Sequence, residues 1–226
     1  MTPPRFSHFM ALAVATALLA GCASPPGPAT TGSRGQTTMD VEQIKVALVG
    51  DWASIAPEVR PSAARNADGT PKPFHLKREF RYLPGDRFEL TIVNSADPNG
   101  AVAIARIAIK GHMLWRGAHP IAAGAQKVDF VADEAYEVTP VVAGFADLLN
   151  QVAAAGYRPW RVGEPQSVFG KAFAPFGLAE GKNFMEFDLV YLSHDLLFWG
   201  ARHVDGRGFD KEENRPTNLQ IPLARK

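Results

Sequence analysis

The chain holds a single cysteine, Cys22, among 226 residues. An intrachain disulfide is impossible, and so is a zinc site built from clustered cysteines. A charge excess of one sign is missing too, since 24 Lys and Arg stand against 23 Asp and Glu. A phosphate-backbone binder needs a basic face from which to release counterions, so nucleic acid is not an expected partner. No apolar run suits a permanent membrane helix: the best internal candidate, residues 101–109, is short and carries Arg106. There is no G-x-S-x-G nucleophile elbow. Gly177-Leu-Ala-Glu-Gly181-Lys182-Asn183 is one spacer residue short of a phosphate loop, and Asn183 stands where a Ser or Thr would hold magnesium. A surface turn is expected there, and no cofactor.

What is present begins with an address. Arg5 precedes the apolar run Phe9–Ala20, which ends in Gly21-Cys22. A basic start, a short apolar core and small residues at a cleavage point describe a secretory signal peptide, residues 1–21. Leu19-Ala20-Gly21-Cys22 resembles the bacterial lipobox, in which the cysteine thiol is acylated and becomes the new N-terminus. Ala23 rather than Asp follows Cys22, so the outer membrane, facing the periplasm, is the expected location. Residues 22–40, rich in Pro, Gly, Ser and Thr, read as the lipid anchor and a flexible tether. Cleavage removes Arg5 and leaves the remainder formally neutral.

Residues 41–226 read as one folded domain, and 46 % hydrophobic residues suffice for its core. Gly50-Asp-Trp52 is a first strand. Phe74–Tyr82 alternates with period 2, and the turn Pro84-Gly-Asp86 leads into Arg87–Asn94, which alternates again. Residues 101–111, 112–116, 126–131, 135–139, 183–192 and 196–199 are further strand candidates. Between them, Val141, Phe145, Leu148, Leu149 and Val152 form one helical stripe, giving an amphipathic helix at about 141–155 with Pro140 at its start. The end reads as a Pro-punctuated extended tail. Many short antiparallel strands interrupted by one helix predict a mainly β fold, a barrel or a sandwich rather than a parallel α/β sheet.

Such a barrel can leave room for one small ligand. The aromatics Trp52, Phe80, Phe88, Trp115, Phe130, Phe187, Phe198 and Trp199 are the candidate cavity lining, although core packing is the commoner use of such residues. His75, His112, His119, His194 and His203 follow no helical ligand spacing, so no metal site is expected unless strands converge them. Asp129, Asp133, Glu134 and Glu137 read as a solvated hairpin edge.

Several spaced motifs occur in one order: Gly50-x-Trp52, Glu58-Val-Arg60-Pro61, Leu76-x-Arg78-x-Phe80, Val138-Thr139-Pro140, Leu148-Leu149-Asn150 and Trp160-x-Val-Gly163. Leu196-Leu-Phe198-x-Gly200, Asp205-Gly206, Arg215, Thr217 and Gln220-x-Pro-Leu223 follow. Together they resemble the adenomatosis-polyposis-coli-down-regulated-1 domain over residues 48–223. The animal proteins of that family are membrane-anchored Wnt inhibitors with two such domains, antiparallel β-barrels associated with binding the Wnt lipid. The resemblance implies an antiparallel lipocalin-like barrel and an acyl-chain ligand such as palmitate here, with Wnt binding as a family label only. This chain has one copy and has Pro57 where the family usually has a cysteine. Glu58, Arg60 and Arg78 match the family motif. They could orient a ligand head group at a polar mouth or close the barrel end as ion pairs, and Arg215 could cap the barrel or reach a partner.

The expected function is therefore non-enzymatic: a membrane-anchored lipoprotein that binds a fatty-acyl or other hydrophobic ligand. A filled barrel serving as an envelope interaction module is the alternative, and a metal-dependent hydrolase a more distant one.

Overall fold

The computed structural model describes residues 39–203 and 205–226, without the side chains of residues 61–64 and 71. The expected signal peptide, Cys22 and the tether up to residue 38 lie outside the described residues. Thr37–Lys226 make one compact unit.

The domain opens with a helix that the sequence reading does not anticipate. Asp40 caps a first helix, α1 (Val41–Leu48), by accepting the Gln43 backbone N–H at 2.8 Å while Gln43 Oε1 accepts that of Asp40 at 3.0 Å. This reciprocal box satisfies two amides that a helix start leaves open. Ile44 and Leu48, one turn apart, are buried, and Met39 packs against the same core. The chain therefore has two helices among the described residues, not one.

Ten strands follow in one antiparallel sheet. They are β1 (Gly50–Ser54), β2 (Glu58–Arg65), β3 (Pro71–Leu83), β4 (Arg87–Ser95), β5 (Ala103–Ala118), β6 (Gln126–Pro140), β7 (Gln166–Ser167), β8 (Phe184–Ser193), β9 (Leu196–Phe198) and β10 (Leu223–Arg225). The second helix, α2 (Ala143–Val152), lies between β6 and β7. The mainly β class holds, and no helix among the described residues is long and apolar enough to cross a membrane.

The ladder returns to its beginning. β3 pairs β2 through its first half, Glu58 opposite Leu76, and β1 through its second, Trp52 opposite Phe80. β1 pairs β10 on its other side, Trp52 opposite Arg225. The pairings thus run β1–β3–β4–β5–β6–β8–β9–β10 and back to β1, with β2 and β7 alongside. The C-terminal stretch is correspondingly not a free tail. Arg225 lies 4.4 Å over the Trp52 ring and donates to Val49 O at 2.9 Å and to Ala47 O, capping the end of α1. A Cβ on Gly50, at φ +128°, would sit 2.7 Å from that guanidinium.

Two strands are longer than their sequence patterns suggest. The two candidates 101–111 and 112–116 merge into one strand, β5, which starts at Ala103 and whose register slips between Lys110 and His112. Residues 126–131 and 135–139 likewise form one strand, β6. Pro140 ends β6 rather than starting the helix. Of the expected helical stripe, Leu149 is buried, whereas Val141, Leu148 and Val152 are exposed. Phe145 packs against the core and Ala146 is buried beside it, so the helix rests on Phe145, Ala146 and Leu149.

At the β5 irregularity a Cβ on Gly111 would lie 1.8 Å from Val131 O, a backbone atom that cannot swing aside. Gly111→Ala is therefore expected to cost about 3 kcal/mol or more. A urea unfolding midpoint equal to the parent's would refute this account of the bulge.

Candidate functional site

Alternation along the strands sends one set of side chains into the ring, and its character changes from one end to the other. On β3 the inward series runs Leu76, Arg78, Phe80, Tyr82, and on β4 it runs in reverse, Phe88, Leu90, Ile92. Phe80 contacts Trp199 at 4.3 Å, Tyr82 at 5.2 Å and Phe130 at 6.3 Å between ring centres, while Trp199 stacks on Phe130 at 4.1 Å. Trp199 Nε1–H donates to Tyr82 Oη at 3.0 Å. These rings fill one half of the interior.

The other half is open. A cavity of about 710 Å³ is lined by aliphatic positions of the same inward series, Leu76, Leu90, Ile92, Ile107 and Ile109, together with Tyr136 and Phe184. Phe176 to Ala179, in the loop before β8, and Gly208 to Asp210 complete the wall. The Gly177–Asn183 stretch, whose glycine spacing falls short of a phosphate loop, forms part of this wall, and a strand rather than a helix follows it.

None of the eight aromatics expected to line a cavity lines this one. Trp52, Phe80, Phe88, Phe130 and Trp199 are packed in the core, because rings at neighbouring inward positions interlock and leave no space. Trp115 is half-buried and donates to Asp86 Oδ1 at 2.9 Å. Phe187 lies under the Arg215 guanidinium at 5.6 Å, and Phe198 packs against Tyr191 at 5.8 Å. The aliphatic lining carried the same period-2 signal as the rings. Position along the strand, which alternation does not report, separates the two.

The four polar candidates divide into two places. Glu58, Arg60 and Arg78 meet, all buried, where β3 exchanges β1 for β2 as its neighbour. Glu58 Oε2 accepts from Arg60 Nη2 at 2.8 Å and from Gln220 Nε2 at 3.1 Å, and it lies 3.4 Å from Arg78 Nη2. Arg78 also sits 5.4 Å over the face of Trp199. Burial first, and then the charge of Arg78, pull the Arg60 guanidinium below its ordinary value. Arg60 and Arg78 both line the cavity.

Arg215 belongs to a separate network. It pairs with Asp129 at 2.6 Å and with Glu212, and it donates to the carbonyls of Val128 and Asp188. Arg116 takes the second Asp129 oxygen at 2.6 Å. Asp129 is thus buried and paired rather than on a solvated edge, because the segment around Arg215 packs across β6 and β8. Asp133 and Glu134 do keep partly exposed positions, beside His112 at 2.9 and 3.6 Å. Among the described residues no three His, Cys, Asp or Glu side chains are grouped so as to hold a metal ion. His203 instead contacts Asn214 O at 2.9 Å.

One buried acidic residue that sequence reasoning missed lies on β8. Asp188, on the face of β8 shared with Glu186 and Val190, is fully buried. Its Oδ1 accepts the backbone N–H groups of Leu189 at 2.7 Å and Gly200 at 2.9 Å, and its Oδ2 has no partner. Burial first, and then the Glu186 charge, push its carboxyl from 3.8 up to about 7. A raised acid favours the fold while protonated. Its contribution is complete below about pH 4, declines as the pH rises toward 7 and is flat above, a step on the order of 4 kcal/mol. Asp188→Asn is expected to remove this step from the urea stability measured between pH 4 and 8. An unchanged slope in the variant would show that Asp188 is ionised throughout.

The chain matches no protein-family model, and no curated protein matches it. The likeness to the adenomatosis-polyposis-coli-down-regulated-1 domain therefore rests on the spaced motifs alone.

Proposed function

We propose that the ring of strands is a lipocalin-like barrel that binds a fatty-acyl chain or another hydrophobic ligand in its cavity. The protein that carries it is, on this reading, an exported lipoprotein anchored by Cys22 to the outer membrane and facing the periplasm. The observation that carries the ligand reading is the unequal filling of the interior. Rings close one half, while the other keeps about 710 Å³ between an aliphatic stretch of wall and a set of charged side chains. Protein interiors normally pack to crystal-like density, and an apolar space left open forfeits contacts that a ligand would restore. The volume falls within the ~300–1,000 Å³ range of small-molecule sites. An alkyl chain burying about 12 methylenes would gain on the order of 10 kcal/mol before ordering costs. Binding of this kind needs no catalytic group. The interaction-module reading has one observation in its favour, the exposed apolar residues Val141, Leu148 and Val152 beside α2.

The full-length protein is expected to copurify with lipid and to displace a fluorescent fatty acid from its own cavity when challenged with an unlabelled one. Ile107→Trp, which fills the wall from a buried inward position, is expected to weaken that binding about tenfold or more while the far-ultraviolet spectrum is retained. A protein that arrives empty and takes up no fatty acid would end the ligand reading. The anchor is tested separately: Cys22→Ser is expected to abolish incorporation of labelled palmitate in cells, and continued labelling would place the modification elsewhere.

A further inference from the structure

We propose that the ligand of this cavity carries an anionic oxyacid head, a carboxylate or a phosphate monoester, held by Arg60 and Arg78. The proposal rests on the cavity reading above and adds a chemical class to it.

Two guanidinium groups at this wall share one carboxylate. The Arg60 and Arg78 side chains are 4 % and 7 % exposed, and both approach the same oxygen, Glu58 Oε2. That oxygen also accepts from Gln220, so its capacity is taken up. Three nitrogens remain buried without a hydrogen-bond partner: Nε and Nη1 of Arg60, and Nη1 of Arg78. Buried charged donors are costly to leave unpaired, and a network that served only to close the ring would pair them. These three belong to side chains that line the cavity, which is where a ligand would supply the missing acceptors.

The surrounding charge agrees. Lys182 and Arg202 line the cavity with Arg60 and Arg78, against Glu186 and Asp210, and Asp210 is already engaged by Asn214 at 2.7 Å. The geometry is also prepared in advance. Arg78 lies over the Trp199 ring, and Arg60 is fixed to Glu58 two residues away on β2. A planar guanidinium with several fixed donors suits the oxygens of an oxyacid better than it suits a hydroxyl or a quaternary ammonium. Leu76 and Ile92 flank Arg78 within the inward series, so an alkyl chain attached to such a head meets aliphatic wall at once.

The test is a series of ligands with one sixteen-carbon chain and four heads: palmitate, hexadecyl phosphate, hexadecanol and hexadecyltrimethylammonium. Each is titrated below its micelle concentration into the full-length protein at pH 8. At least one of the two anions is expected to bind about tenfold tighter than hexadecanol or better, with the ammonium weakest. The stronger anion identifies the head as carboxylate or phosphate monoester. Arg60→Gln and Arg78→Gln are each expected to shrink the ratio of anion to alcohol affinity toward one. Hexadecanol binding as tightly as the better anion to the unmodified protein would overturn the head-group assignment while leaving the cavity reading intact. Failure of all four to bind would remove the cavity reading itself. The ratio on the unmodified protein decides the matter even where an arginine variant does not fold.

Discussion

Backbone amides inside a sheet need partners on both sides, and β1 meets that need for the whole ring. Its five residues join the second half of β3 to β10, and without them both neighbours would present unpaired edges. Everything at the seam serves that placement. Trp52 is buried, donates its indole N–H to Leu48 O at 2.8 Å and carries Arg225 on its face. The first helix, the first strand and the last strand are thus held by one tryptophan and one arginine.

Because β1 is short, β3 outruns it, and β2 takes over as the partner of the remaining half. The change of neighbour is where Glu58, Arg60 and Arg78 come together. Ser54 Oγ accepts the Arg78 backbone N–H at 2.9 Å, marking the point at which β1 ends. The buried charges are therefore tied to the closure of the ring and to the cavity wall at once. Charge balance separates the two uses: one carboxylate is enough to hold Arg60 and Arg78 in place, and too little to satisfy them.

Much of this architecture is legible in the residues. The alternation of Phe74–Tyr82 and Arg87–Asn94 about the Pro84-Gly-Asp86 turn yields β3 and β4 nearly to their ends. The amphipathic stripe locates α2, and of its members Phe145 and Leu149 face the core. Apart from β2, whose Glu58-Val-Arg60-Pro61 start shows no strand pattern, what escapes is short or non-local. β7 and β10 have two and three residues, too few for any period to show. α1 was readable from Asp40 and Gln43, but it abuts a Pro- and Gly-rich stretch that hides its start. In the site, Glu58, Arg60 and Arg78 are close in pattern and also close in space, whereas Arg215 meets Asp129 across 86 residues with no local trace. Alternation says which residues face inward. It does not say that Phe80 and Phe88 fill their level while Leu76 and Ile92 leave theirs open.

The seam also constrains the order in which the chain can acquire its structure. β3 to β6 are joined as successive antiparallel neighbours, so their pairings need only short loops to close. The contact of Trp52 with Arg225 joins opposite ends of the domain, and loop-closure entropy makes such a contact late. Until it forms, α1 lacks its C-terminal cap and the interior stays accessible from the side. On the ligand reading proposed above, a hydrophobic guest could be enclosed while the ring is still open, before the last strand is laid down.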